Sequence, residues 1–357
     1  MLNALSDRLA FMVSKKAYDD HGGGKAAEEW MALNPVGTGP FKLESFKPGV
    51  SIKGVKFDGY WQKGLPRLDA IELIGITDPM TKAQAFEAGE VDMIAGDLTK
   101  VEYDIQQKGF EVNKAFLAIA CLVPDSANPN SPLSNVKVRQ AIDYAIDRDA
   151  IAKSLGYGFW PATDQFAVPG STAYVTDLQK RAYNPDKAKQ LLAEAGYANG
   201  FKTQITGNAV TTNKDAMVAI QGYLSKVGIT IEINMLDNAM YNEAIQKGWS
   251  GFAAASKSIN ANMNSSINTN WSKSALSHPV LAKPDEFQAL YEASANSPEY
   301  DPALVKKVIR YMYDNAMVTC LFAVSRGYVL RPYLHDLDLN NNANFMIWGT
   351  ATAWMSK

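Results

Sequence analysis

The chain has 357 residues, with 35 Lys and Arg against 37 Asp and Glu and a formal net charge of -2. That length argues for two domains, and 47% apolar against 20% charged residues is a globular balance that excludes intrinsic disorder. No stretch gathers basic residues with interleaved aromatics, which argues against a nucleic-acid partner, and no run of about 18 apolar residues offers a membrane-spanning helix.

The N-terminal MLNALSDRLAFMVSKK lacks a basic stretch before an apolar core and a small-residue cleavage site, so it is not read as a secretory signal. Leu2, Leu5, Leu9, Met12 and Val13 recur there at helical spacing. FKLESF (41–46), a Lys-Pro-Gly turn at 47–49 and VSIKGVKF (50–57) predict a hairpin, and a further strand is expected at 70–76. A helix over 79–88 ends on Gly89, a residue suited to a left-handed cap, and a short strand follows at 91–94. The continuous apolar run 116–123 reads as a buried strand, and PDSANPNSP (124–132) as a linker.

Beyond it the texture becomes α/β. Ser134 precedes a helix with Val138, Ala141, Ile142, Ala145 and Ile146 on one face. Arg139, Asp143, Asp147 and Arg148 are expected on its solvated side. Helices are predicted at 185–195, 213–227, 285–295 and 301–316, and strands at 202–206 and 229–235. The tail returns to strand from Thr319, with a polar loop at 340–342. The pattern is β-rich, crossover, α/β, crossover back. Cys121 and Cys320 lie in apolar runs; two buried free thiols are expected, with a single bridge as the alternative. His21, His278 and His335 have no partner at metal-ligand spacing, so neither metal nor cofactor is expected. His278 is placed in a loop and His335 in solvent.

Four stretches are similar to the extracellular solute-binding proteins of ABC importers, in the dipeptide, oligopeptide and nickel group (family 5): 34–61 (NPVGTGPFKLESFKPGVSIKGVKFDGYW), 65–94, 131–158 and 183–197. The resemblance implies a two-lobe periplasmic-binding-protein-like α/β fold (type II, cluster C-like). It also implies a chain corresponding to the back portion of a longer protein. Residues 1–122 are expected to form the later part of lobe I, 123–325 a complete lobe II, and 326–357 the return to an incomplete lobe I. The implied function is capture of a small solute between lobes that hinge near 123–132 and 325–332, followed by delivery to a membrane permease. A monomer outside the cytoplasm is expected, free in the periplasm or lipid-anchored.

The family places pocket residues soon after a Gly-Trp pair, which Gly248-Trp249 resembles. Peptide-binding members carry an aspartate three residues on; Phe252 stands here, and no Asp or Glu occurs from 244 to 284. That stretch offers Phe252, Lys257, Trp271 and amides including Asn260 and Asn262. Aromatic faces with neutral amides suit a neutral polar solute such as an oligosaccharide, Lys257 tolerates an anion, and an oligopeptide remains the family's default. Trp160, in a Gly/Pro-bounded loop, completes the candidate ligand-binding set of Trp249, Phe252, Lys257, Asn260, Asn262, Trp271 and Trp160. An enzyme is not expected: G-x-S-x-G, H-E-x-x-H and P-loop patterns are missing. The weighed alternatives are a sensing module that signals to a partner and a glycosidase using carboxylates such as Asp237 and Glu243.

Overall fold

The computed structural model describes residues 13–97, 99–260, 262–337 and 350–356; the helical spacing expected before Val13 and the loop at 340–342 lie outside them. Residues 1–95, 104–113 and 328–357 form one compact unit, and 96–103 with 114–327 a second, larger one.

In the smaller unit the Ser14 hydroxyl caps α1 (Lys15–Asp20) by accepting the Ala17 amide, and α2 (Gly24–Leu33) follows a glycine-rich turn. β1 (Phe41–Lys47), β2 (Ser51–Lys56) and β3 (Ala70–Ile74) make an antiparallel sheet in chain order. The expected turn at 47–49 closes the first hairpin on Gly49, whose φ of 73° a side chain resists. α3 (Pro79–Ala88) begins on Asp78, whose carboxylate accepts the Thr81 amide, and ends on left-handed Gly89, as its sequence indicates. β4 (Met93–Asp97), α4 (Lys100–Gln107) and β5 (Val112–Pro124) follow. The chain's return is held here by Arg331, which donates to the Phe86 carbonyl and lies 4.8 Å over the Phe86 ring. His335, expected in solvent, is instead half-buried in a short strand pair, Leu334–His335 with Trp354–Met355. Its ring packs 4.3 Å from that of Trp354, and its Nε2 is 2.8 Å from the Ser356 hydroxyl.

The larger unit continues with α5 (Val136–Ala145), α6 (Arg148–Gly156), α7 (Pro185–Glu194), β6 (Phe201–Asn208), α8 (Lys214–Ser225), β7 (Ile229–Leu236) and α9 (Asn238–Lys247). β8 (Phe252–Ser258), α10 (Met263–Asn270), α11 (Asp285–Ala295), α12 (Pro302–Asp314) and β9 (Thr319–Leu330) complete it. Asn135, Asp147, Asn184, Asn213, Asp237, Asn262 and Asp301 each accept a first-turn amide at the start of a helix, so the boundaries are written locally. Its strands lie in the order β9-β5-β8-β6-β7. β5 and β8 are antiparallel, β6 is parallel to β8, and β6-α8-β7 is a parallel crossover unit.

Helices cover both faces of this sheet, so its middle strands alternate between two cores. Ile119, Cys121 and Val123 of β5 and Ala253 of β8 join one core with Met263, Trp271, Phe287 and Val308. Leu122, Phe252 and Ala254 join the other with Ile142, Leu192, Ile205 and Ile220. A strand buried on both faces reads as a continuous apolar run, which is why 116–123 was visible in the sequence. Both cysteines are buried and free, as expected.

Two expectations fail here. Arg139, Asp143 and Arg148 are not solvated: Asp143 is 3% exposed and accepts from Arg148 at 2.7 Å and from Arg181 at 3.0 Å. Arg181 and Arg139 also donate to the carbonyls of Tyr313, Asn315 and Ala316, the open C-terminal end of α12. Arg139 and Asp143, four residues apart on α5, form one polar face, and Arg148 joins them from the first position of α6. Only the packing of α12 beside it turns that face inward. The segment 124–132 is likewise no free linker. The Asp125 amide donates to the Gly251 carbonyl at 2.9 Å, its carboxylate accepts the Gly251 amide and the Ser131 hydroxyl, and the Ala127 amide donates to the Val280 carbonyl. These bonds tie the segment inside the larger unit.

Candidate functional site

The alternation of β8 separates the seven expected ligand residues. Phe252 and Trp160 belong to the α5–α8 face. Phe252 is 1% exposed, and Trp160 stacks on Phe322 with centroids 4.7 Å apart, room that Gly156 provides because a Cβ there would meet the Trp160 side chain at 2.6 Å. Trp249, Trp271 and Lys257 belong to the opposite face. Trp271 is fully buried, edge-on to Phe166 at 5.3 Å. Trp249 is half-buried and anchored by its Nε1–H, which donates to the Val123 carbonyl at 3.1 Å. Phe252 and Trp271 therefore have no ring face left for a sugar, and their aromatic character is accounted for by core packing.

Asn260 and Asn262 organise the turn between β8 and α10. The Asn260 amide N–H donates to the Ser266 hydroxyl at 2.8 Å, and the Asn262 side chain caps α10 by accepting the Asn264 amide at 3.1 Å. Their spacing in an Asn-rich run is capping chemistry as much as ligand chemistry. Lys257 lies just before this turn, opposite Ile119 of β5. Its side chain is half-buried, and no hydrogen bond or ion pair reaches its ammonium among the described residues.

The groups around Lys257 are neutral. Burial pushes the Cys121 thiol up to about 12 and also raises the Tyr241 phenol, whose hydroxyl donates to the Ala254 carbonyl at 2.6 Å. His278 is fully buried between Trp249 and Trp271, at centroid distances of 5.7 and 5.3 Å. Desolvation, then the charges of Lys257 and Lys283, hold its imidazole down at about 3. Burial also lowers Lys257 itself. Sequence reasoning missed Cys121 and His278 as neighbours of Lys257, since they come from separate elements. The one legible signal was the lack of carboxylates over 244–284. At the other end of the sheet Asp125, Asn128, Lys202, Thr203, Glu232 and Gly251 line a polar depression of about 330 Å³ that holds none of the expected residues.

Residues 3–277 match the family described as bacterial extracellular solute-binding proteins, family 5, Middle, and the chain belongs to that family. It is 33% identical over 241 residues to the glutathione-binding protein GsiB of Salmonella paratyphi A, a match covering 66% of this chain. The chain spans less than half, 45%, of the length of that relative. The fold is similar to DppA of Helicobacter pylori in complex with the peptide STSA, with a TM-score of 0.82 and 24% identity over all of this chain and 70% of that one. It is also similar to NikA of Brucella suis in complex with Fe(III)-EDTA, with a TM-score of 0.77 and 22% identity over 90% of this chain and 69% of that one.

Proposed function

We propose that this chain is the ligand-binding part of an ABC importer's extracytoplasmic substrate-binding component, which captures a small peptide-class solute, leaves it unaltered and delivers it to a membrane permease. The observation that carries this reading is the family match over residues 3–277. It is supported by a relative named for glutathione binding and by a similarly folded protein that holds a tetrapeptide. A neutral sugar is the weaker reading, because Phe252 and Trp271 are spent on the core.

The test is thermal unfolding of the protein with glutathione and the peptide STSA, followed by mass spectrometry of the released ligand. A ligand that binds only the folded state raises the melting temperature, by about 2.7 kcal/mol of stability at a hundredfold excess over Kd. At least one of the two is expected to produce a saturable rise and to return with its mass unchanged. No shift with either, or a hydrolysed product, would refute the proposal.

A further inference from the structure

Several cations in the larger unit, the buried arginines among them, are matched in ways that Lys257 is not. Asp143 and helix-end carbonyls serve Arg139, Arg148 and Arg181. Glu243 serves Lys247, Asp285 serves Lys273, and the half-buried Lys283 donates to the Ser277 carbonyl at 3.4 Å. Lys257 is half-buried on the Ala253 face of β8, beside the buried Cys121 and within the field of the buried His278, and it meets no acceptor among the described residues. A partly dehydrated ammonium without a counter-ion is less favourable than one in open water, and neutral neighbours do not compensate it. Cys121, Tyr241 and His278 all stay neutral at pH 7. No Asp or Glu stands between 244 and 284 to change that balance or to receive a ligand's ammonium. The turn after Lys257 is fixed by its own bonds, Asn260 to Ser266 and Asn262 to Asn264, so the β8 end is a formed surface around a bare positive charge.

We infer that Lys257 is the receptor of a carboxylate on the solute, so that this strand end selects an acidic or zwitterionic ligand by its negative end. The assignment rests on the function proposed above and deepens it. An arriving carboxylate supplies the missing counter-charge and an acceptor for the Nζ–H donors, and a partly dehydrated surrounding strengthens that pair relative to one in open water.

The experiment is calorimetric titration of the parent protein, Lys257→Met and Lys257→Arg with four probes: STSA, STSA C-terminal amide, glutathione and its diethyl ester, in which both carboxylates are blocked. In the parent each free acid is expected to bind about 10–100-fold more tightly than its blocked form. Lys257→Met keeps the apolar stem without the charge, so its melting temperature is expected to be no lower, while the free acids fall to the affinity of the blocked forms. Lys257→Arg is expected to retain the discrimination. A parent that holds blocked and free forms equally, or a Lys257→Met variant that keeps the parent's ratio, overturns the lysine assignment and leaves the solute-binding reading standing. A parent that binds none of the four overturns the peptide-class reading, and the lysine assignment falls with it.

Discussion

The buried imidazole of His278 makes the protein acid-sensitive in a calculable way. Its pKa is lowered from 6.5 to about 3 in the folded state by desolvation first and by Lys257 and Lys283 second. Above pH 6.5 both folded and unfolded chains carry a neutral ring, so the group leaves stability unchanged. As pH falls below 6.5 the unfolded chain takes up the proton and the folded chain does not, so stability is lost until the folded group titrates near 3. Each pH unit in that window costs about 1.4 kcal/mol, so acidification to pH 4 removes about 3 kcal/mol through this one ring. With a urea slope of about 3 kcal/mol per molar, the midpoint falls by about 1 M. The comparison is urea unfolding by tryptophan fluorescence at pH 7 and pH 4 for the parent and for His278→Asn. Asparagine tolerates the φ of 65° at this position and does not titrate in the window. The variant is expected to lose about 3 kcal/mol less than the parent on acidification. Equal acid losses in the two proteins, or an NMR titration placing the imidazole between pH 5 and 7, would refute the reasoning.

Two further predictions concern the larger unit's framework. Asp143→Asn removes the one carboxylate bonded to Arg148 and Arg181 among the described residues, leaving two buried guanidinium groups without that counter-charge; a loss of about 3–5 kcal/mol is expected in chemical denaturation, and a loss under 1 kcal/mol counts against a structural role. Gly200→Ala sets a Cβ 1.8 Å from the Gly228 carbonyl oxygen at a φ of 70°, whereas Gly170→Ala, at a φ of 85°, meets nothing within 4 Å. The first is expected to lower stability by more than about 3 kcal/mol and the second by about 1–2 kcal/mol from left-handed strain alone, so similar melting temperatures for the two would contradict the close approach.

Much of the framework was written locally. Asp78, Pro79 and Gly89 bound α3 at the residues where the structure begins and ends it, because capping groups act within one turn. The apolar run 116–123 announced β5 because both its faces are buried. β8 and α10 were harder to see. FAAASKS mixes small apolar residues with a lysine, and MNSSINTN reads as a polar loop until Met263 and Ile267 dock on the core. The candidate site was legible only in its charge balance, since Lys257 and the carboxylate-free stretch are sequence facts, whereas the side each residue faces is not.

The order of residues by itself determined the caps, the turns, the strand and helix periods and the resemblance that named a family, since each depends on neighbours a few positions apart. Tertiary packing decided which polar groups lost their water. Asp143 of α5 and Arg148 of α6 pair where the end of α12 packs beside them, His278 is neutral because two tryptophans surround it, and Lys257 meets no acceptor among the described residues because β5 and β8 bring it beside a thiol rather than a carboxylate. Desolvation and pairing are sums over atoms from distant parts of the chain, and spacing along a sequence carries no record of them.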